Sequence, residues 1–446
     1  MLIESISGVR GTVPDSLNNE VVALYAGAFH QFCPKGDIVV GRDSRSSGIH
    51  FLTEIVETLM ASGRTVNQCG IVPTPTLQYV VNDTDAVGGI IVTASHNPAE
   101  WNGLKFFGAD GCYLNSSQVK KLMQLKSVDF SELSDGKGKH IQMNDAIDRH
   151  ITRTCDVSWI DLDAIRQRKF KVAVDAVNGA AAVALPELLD RLGCEVVAIN
   201  CEPTGEFTRG TEPLPENLSD LSQLVQQENC QVGFATDPDA DRLAVIDEKG
   251  KPVGEEYTLV LALDGFLSTI DSSETVVTNL STTLAVDKVA ERYGAQVTRS
   301  AVGEINVVEM MKKTGASIGG EGNGGVILKE VHLGRDSLVA GASILHRLAQ
   351  TDSNLSEVMN KLPKFEIVKY KVPIEKIDGD TLFQKISDSF DSALIDERDG
   401  LKLTWNDRWI HVRRSNTEPI MRIYTEASSE KKARELAEKV KLIIQS

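Results

Sequence analysis

From the N-terminus to about residue 350, short apolar runs alternate with amphipathic segments, and that alternation points to an α/β architecture. Residues 38–41 read as a strand, and Leu52, Ile55, Val56 and Leu59 mark one face of the helix that follows, at the i, i+3, i+4, i+7 spacing. A second unit opens near Ile147, with strands at 170–175, 194–199 and 232–235 and helices at 179–192 and 218–227. A third follows about Tyr257, with strands at 275–278, 296–299 and 326–328 and a helix at 336–349. After Pro363 the order changes to strand, helix, two short strands (401–405 and 409–412), a loop, a strand (421–425) and a closing helix. Ser428 or Ser429 can cap that last helix, whose apolar face is Ala433, Leu436, Ala437 and Val440. The final unit is therefore α+β and large enough for its own core.

At 446 residues the chain exceeds a single core. The boundaries expected from the pattern are 1–145, 146–254, 255–363 and 364–446. With 41% hydrophobic and 25% charged residues, disorder is not indicated. No apolar run has the length of a membrane span and the start carries no leader pattern, so a cytoplasmic protein without a membrane partner is expected. Seven cysteines without a Cys-x-x-Cys pair read as free, mostly buried thiols in a reducing compartment. A formal charge of −16 argues against nucleic acid as a partner. Any anionic ligand must then be met by locally gathered cations.

Four loops carry chemistry. The first, Thr93-Ala94-Ser95-His96-Asn97-Pro98, puts a hydroxyl nucleophile after the apolar run 87–92, and ligands of α/β folds gather outside the carboxyl ends of strands. Pro98 keeps Asn97 from starting a helix, holding serine and histidine in a turn. A plain polar turn is the alternative. The second loop, Asp237-Pro238-Asp239-Ala240-Asp241-Arg242, sets three carboxylates at i, i+2 and i+4 between two apolar runs. Such carboxylates repel unless a cation intervenes, and a divalent oxygen-binding ion, Mg²⁺ by default, is the economical reading. A solvated acidic turn stays possible, whereas an EF-hand fits poorly because Arg242 stands where its glycine belongs and the flanks read as strands.

The third loop, Gly319-Gly320-Glu321-Gly322-Asn323-Gly324-Gly325, satisfies a Gly-x-Gly-x-x-Gly search but leads into a strand-like run, not the helix a dinucleotide site requires. It offers close backbone approach and one carboxylate, Glu321, able to accept from hydroxyls. A glycine-rich hairpin is the plain alternative. The fourth, Arg413-Arg414-Ser415-Asn416-Thr417-Glu418-Pro419 followed by Arg422, gathers guanidinium groups, hydroxyls and turn amides suited to a phosphate dianion. Otherwise it is a solvated basic turn.

In this order the four loops resemble those of the α-D-phosphohexomutase superfamily. Supporting matches are Ser7-Gly8-Val9-Arg10-Gly11, Gly41-Arg42-Asp43-Ser44-Arg45, Asn102-Gly103-Leu104-Lys105 and Pro213-Leu214-Pro215-Glu216-Asn217. The resemblance implies three related α/β domains with mixed sheets around a central cleft, plus a smaller C-terminal α+β domain. It implies a phosphoserine at Ser95, with one Mg²⁺ held by Ser95, Asp237, Asp239 and Asp241. Glu321, with Asn323, would grip sugar hydroxyls, and Arg242, Arg413, Ser415, Asn416, Thr417 and Arg422 would complete substrate binding. The partner would be a phosphorylated hexose or hexosamine, exchanged between 6- and 1-phosphate through a sugar bisphosphate that also serves as activator. A monomer or homodimer is expected.

One departure bears on catalysis. Many members continue the sugar loop as Gly-Glu-x-Ser-Gly-His, but here Asn323 replaces the serine and Gly325 stands in the histidine position. Proton transfer then falls to Lys105 or Arg10, with His332 a candidate by sequence proximity only, while His96 orients the serine turn. The Gly-Glu-Gly-Asn-Gly-Gly form, with Glu100-Trp101-Asn102, is most similar to a lineage of phosphoglucosamine mutases. Phosphomannomutase or phosphoglucomutase is the alternative, and a non-catalytic sugar-phosphate binder or a phosphatase on the same loops are more distant ones.

Overall fold

Strand Gly88–Val92 is buried along its whole length, as a run of glycine, isoleucine and valine without polar alternation requires of a sheet covered on both faces. In the computed structural model, which describes residues 2–126, 137–270, 273–373, 379–414 and 420–445, it is a central strand of a seven-stranded mixed sheet. It runs parallel to Ile38–Arg42 and antiparallel to Trp101–Gly108. Helices Asn19–Phe32 and Gly48–Ala61 bury Val22, Phe29, Phe51, Leu52 and Ile55 in one core with Ile38, Val40, Ile90 and Val92. Each such side chain contributes about 1.5–3 kcal/mol on burial. Asn18 fixes the start of the first helix by accepting from the Val21 amide.

The chain divides into two compact units, Met1–Thr269 with Asn323–Met359, and Ile270–Gly322 with Asn360–Ser446. The first unit also holds a four-stranded sheet ordered Leu243–Asp247, Val232–Thr236, Lys171–Asp175, Glu195–Ile199. Only its first pair is antiparallel, with Thr236 opposite Leu243, so the acidic loop is the connection of a hairpin. Strand Gly325–Leu328 and helix Ser337–Ala349 complete this unit.

In the second unit strands Gln296–Ser300, Thr275–Asn279 and Ile318–Glu321 lie parallel in that order. A separate five-stranded antiparallel sheet runs Glu366–Pro373, Ile420–Ala427, Trp409–Arg414, Leu401–Thr404, Leu394–Asp396. Helix Glu430–Gln445 buries Ala433, Ala437, Val440 and Ile444, three of them on the apolar face expected from its spacing. Strand Leu394–Asp396 corrects the expected order of this unit. It is a three-residue edge on which Leu394 and Ile395 stay 77% and 57% exposed, so no burial pattern announces it. All seven cysteines are free, and six are buried.

Candidate active site

The Ser95 turn is strapped from below. Asp43 and Arg45, both buried, pair through Oδ2 and Nε at 3.0 Å, and the guanidinium donates to the carbonyls of Ser95 (2.6 Å), Asn97 (2.7 Å) and Pro98 (2.8 Å). Thr93 donates to Asp43 Oδ2 at 2.7 Å and accepts from the Ser95 amide at 3.0 Å. Held this way, Ser95 takes a left-handed backbone, φ 51°, which a non-glycine residue keeps only when its surroundings impose it. Arg10 Nη1 donates to Asn97 Oδ1 at 3.0 Å. His96 Nδ1 lies 3.3 Å from Ser95 Oγ and accepts from Arg242 Nη2 at 3.3 Å. Burial, then the Arg242 charge, lowers the imidazole to about 4, so it is neutral at pH 7.

The three aspartates share one pattern: one oxygen is anchored and the other is not. Asp237 Oδ1 accepts from the Arg242 amide at 3.3 Å. Asp239 Oδ2 accepts from Thr74 Oγ1 at 2.7 Å and Lys105 Nζ at 2.6 Å. Asp241 Oδ2 accepts from Arg335 Nη2 at 2.5 Å. Asp237 Oδ2, Asp239 Oδ1 and Asp241 Oδ1 are buried with no hydrogen-bond partner among the described residues. Arg242 Nε lies 3.9 Å from Asp237 Oδ2 and 3.7 Å from Asp241 Oδ1, too far for a hydrogen bond, and a buried carboxylate oxygen without one is costly. One ligand oxygen from each residue lies within 4.8 Å of the others, which fits a small divalent cation.

The charges agree with that fit. Burial, then Asp241 and Asp239, pushes Asp237 well above the usual carboxylate range. Burial also works against Asp241, but Arg335, Lys105 and Arg242 hold it below that range. For Lys105, burial opposes the charge, yet Asp239, Tyr113 and Asp241 keep it protonated well above its ordinary value.

The second unit holds Glu321, Arg413 and Arg422. Glu321, 4% exposed, ends strand Ile318–Glu321 and accepts through Oε1 from Asn279 Nδ2 at 2.7 Å and the Gly303 amide at 2.9 Å. Arg413 and Arg422 are direct cross-strand partners, and Asp399 Oδ1 lies 3.4 Å from Arg413 Nη2. Asp399 also accepts from the Val302 amide at 3.0 Å, next to the Gly303 amide that serves Glu321. Ser415, Asn416 and Thr417 lie outside the described residues.

Residues 3–129, 149–250 and 254–365 match the α/β/α domains I, II and III of phosphoglucomutase/phosphomannomutase, and 381–443 match its C-terminal domain. The chain belongs to the phosphoglucomutase/phosphomannomutase family. It is 36% identical over 440 residues to a phosphoglucomutase/phosphomannomutase of Thermococcus kodakarensis, covering 97% of this chain and 96% of the relative. A probable phosphoglucosamine mutase of Methanopyrus kandleri is 33% identical, with 96% and 95% covered. The crystal structure of a phosphoglucomutase/phosphomannomutase family protein from Burkholderia thailandensis superposes with a TM-score of 0.87 at 26% identity, covering 100% of this chain and 98% of that one. This phosphohexomutase is thus an isomerase that moves a phosphoryl group, built of three α/β domains and a smaller C-terminal one. No helix of the described residues is long and apolar enough to cross a membrane.

Within the first unit the fold brings together Arg10, Ser95, His96, Lys105, Arg242 and the three aspartates through the contacts above. His332 is a correction. It is 4% exposed and its Nε2 lies 3.1 Å from Asp336 Oδ2, in a separate buried cluster with His150, so its nearness in sequence to Glu321 does not make it a proton carrier for a sugar. Asn323 is half-buried, its Oδ1 without a hydrogen-bond partner among the described residues. The motif Gly41-Arg42-Asp43-Ser44-Arg45 is visible in the sequence, but the strapping role of Asp43 and Arg45 is not. Thr74 and Arg335 leave no local signal, because their partners lie 165 and 94 residues away, and Asp399 leaves none because it joins Arg413 to the distant Val302 amide.

Proposed function

We propose that this phosphohexomutase interconverts glucosamine 6-phosphate and glucosamine 1-phosphate, with Ser95 as the phosphoryl carrier. The observation that carries the reading is the anchored-and-orphaned oxygen pattern of Asp237, Asp239 and Asp241, joined through Arg242 and His96 to the Ser95 turn. Mg²⁺ held there by the three aspartates and a Ser95 phosphoryl oxygen would neutralise the phosphoryl charge and stabilise it during in-line transfer.

This chain's residues divide the remaining work. Ser95 gives its phosphoryl group to a sugar hydroxyl, and after the bisphosphate turns over it receives the other one. The Arg45 strap fixes the serine for attack in line. Lys105 supplies positive charge close to the transferred group. Glu321, pre-set by Asn279 and the Gly303 amide, accepts from sugar hydroxyls in both orientations of the intermediate. Arg413 and Arg422, together with Ser415, Asn416 and Thr417, bind the phosphate that is not reacting.

A second reading, glucose or mannose 6-phosphate as substrate, is favoured by the relative of 36% identity that bears that name. Comparison of kcat/KM for glucosamine, glucose and mannose 6-phosphates, with Mg²⁺ and the matching bisphosphate, decides between them. The glucosamine assignment requires the highest value for the amino sugar; equal values describe a generalist. Peptide mass spectrometry tests the carrier: no phosphate on Ser95 in any preparation, and none taken up from a sugar bisphosphate, would remove it.

A further inference from the structure

Gly325 carries no side chain at the position where the family resemblance places a histidine, and that space is filled from elsewhere in the chain. A Cβ at 325 would stand 2.3 Å from Arg335 Cδ and 2.8 Å from its Cγ. The arginine stem thus crosses the glycine in van der Waals contact, and its Nη2 reaches Asp241 Oδ2 at 2.5 Å, 94 positions away in sequence. Arg335 is 9% exposed.

Its backbone is held on the same loop. Ser337 donates through Oγ to the Ala240 carbonyl at 2.8 Å, between Asp239 and Asp241. Asp336, next to Arg335, accepts through Oδ1 from the Leu338 and Val339 amides that open helix Ser337–Ala349. Its Oδ2 lies 2.8 Å from His150 Nε2 and 3.1 Å from His332 Nε2. The buried histidine cluster therefore fixes the residue beside the arginine.

We infer that Arg335 is a positioning residue of the metal loop, clamping Asp241 through Oδ2 so that Oδ1 stays available to the cation, and that Gly325 is glycine to let the arginine pass. A guanidinium cannot give up its proton near neutrality, so this side chain does not take over an imidazole's acid–base work. It fills the space and orients a ligand instead. The inference rests on the reading of the aspartate loop as a cation site.

Mn²⁺ binding to the metal-free protein, followed by electron paramagnetic resonance, tests the clamp without reference to turnover. Outer-sphere partners of metal ligands are worth about 10–100-fold in affinity, so Arg335→Ala should weaken Mn²⁺ binding by that order and Arg335→Lys by less. Gly325→Ala should weaken binding in the wild-type background by displacing the arginine, and change nothing further in the Arg335→Ala background. Thermal melts establish that each variant is folded; if Arg335→Ala is not, Arg335→Lys and Gly325→Ala carry the test. Mn²⁺ binding by Arg335→Ala as tight as or tighter than wild type would make the arginine only a competing charge and overturn the clamp. So would a Gly325→Ala effect of equal size in both backgrounds. Wild-type protein that binds Mn²⁺ but moves no phosphoryl group would remove the mutase reading and leave the clamp standing. Normal turnover with unaltered Mn²⁺ affinity in Arg335→Ala would remove the clamp alone.

Discussion

Arg413 and Arg422 stand directly opposite each other on adjacent antiparallel strands, a like-charged pair in a position where sheets favour opposite charges. Asp399 Oδ1 lies 3.4 Å from Arg413 Nη2. Such repulsion costs about 0.2–1 kcal/mol and is relieved by an anion lying between the two guanidiniums. Arg413→Gln should therefore leave urea stability unchanged or slightly raised while KM for sugar phosphate rises about tenfold or more. A clear loss of stability with unchanged KM would show the pair to be structural.

Lys105 and the acidic loop should be coupled in stability. Lys105 Nζ lies 2.6 Å from Asp239 Oδ2 and 3.9 Å from Asp241 Oδ2, all buried. Removing one member of a buried ionic group costs about 3–5 kcal/mol, because the remaining charge is left unpaired. In urea titrations without divalent ions Lys105→Met should lose stability on that scale, and excess Mg²⁺ should restore part of it. The same loss with and without Mg²⁺ would mean that lysine and cation do not share these carboxylates.

Arg45 should govern how readily Ser95 is loaded. It donates to three carbonyls of the serine turn, and lysine has neither the fork nor the planar geometry to replace it. Arg45→Lys is expected to slow phosphate uptake by Ser95 from a sugar bisphosphate about 100-fold, since small misplacements of a reacting group cost that much. Time-resolved intact-mass measurement reads this directly; an unchanged uptake rate would show that the strap is dispensable.

His346 predicts acid sensitivity. Its Nδ1 accepts from the Asp161 amide at 3.0 Å, which requires the neutral ring, and its Nε2 lies 3.0 Å from Thr269 Oγ1. Burial lowers it from 6.5 to about 4, so between those values the unfolded chain binds a proton that the folded one does not. Its contribution is complete above about pH 6.5 and falls as pH drops towards 4. Replacing it, His346→Gln, should flatten the decline of the urea midpoint between pH 7 and pH 5 relative to wild type. Parallel curves for the two proteins would exclude this histidine as a source.

Much of the site was legible in order along the chain because its chemistry lies in short continuous loops. Ser95 at the end of a buried strand, Asp237, Asp239 and Asp241 in one hairpin connection, and Glu321 at a strand end each show in a window of a few residues. The alternation of apolar runs likewise marked the main strands and helices, since burial of a strand or a helix face leaves a periodic trace. The edge strand Leu394–Asp396 left none, being exposed, and His332 misled because nearness in sequence to Glu321 says nothing of which side of a turn it occupies.

By itself the sequence determined which reactive groups this protein owns and the order in which its strands and helices form. Only the tertiary structure decided which oxygen of each aspartate is anchored and which is left for a cation. For Asp239 and Asp241 those choices depend on Thr74, Lys105 and Arg335, which reach the acidic loop from positions 165, 134 and 94 residues distant from their partners. Local periodicity records burial within one element. It carries no record of a charge that arrives from another.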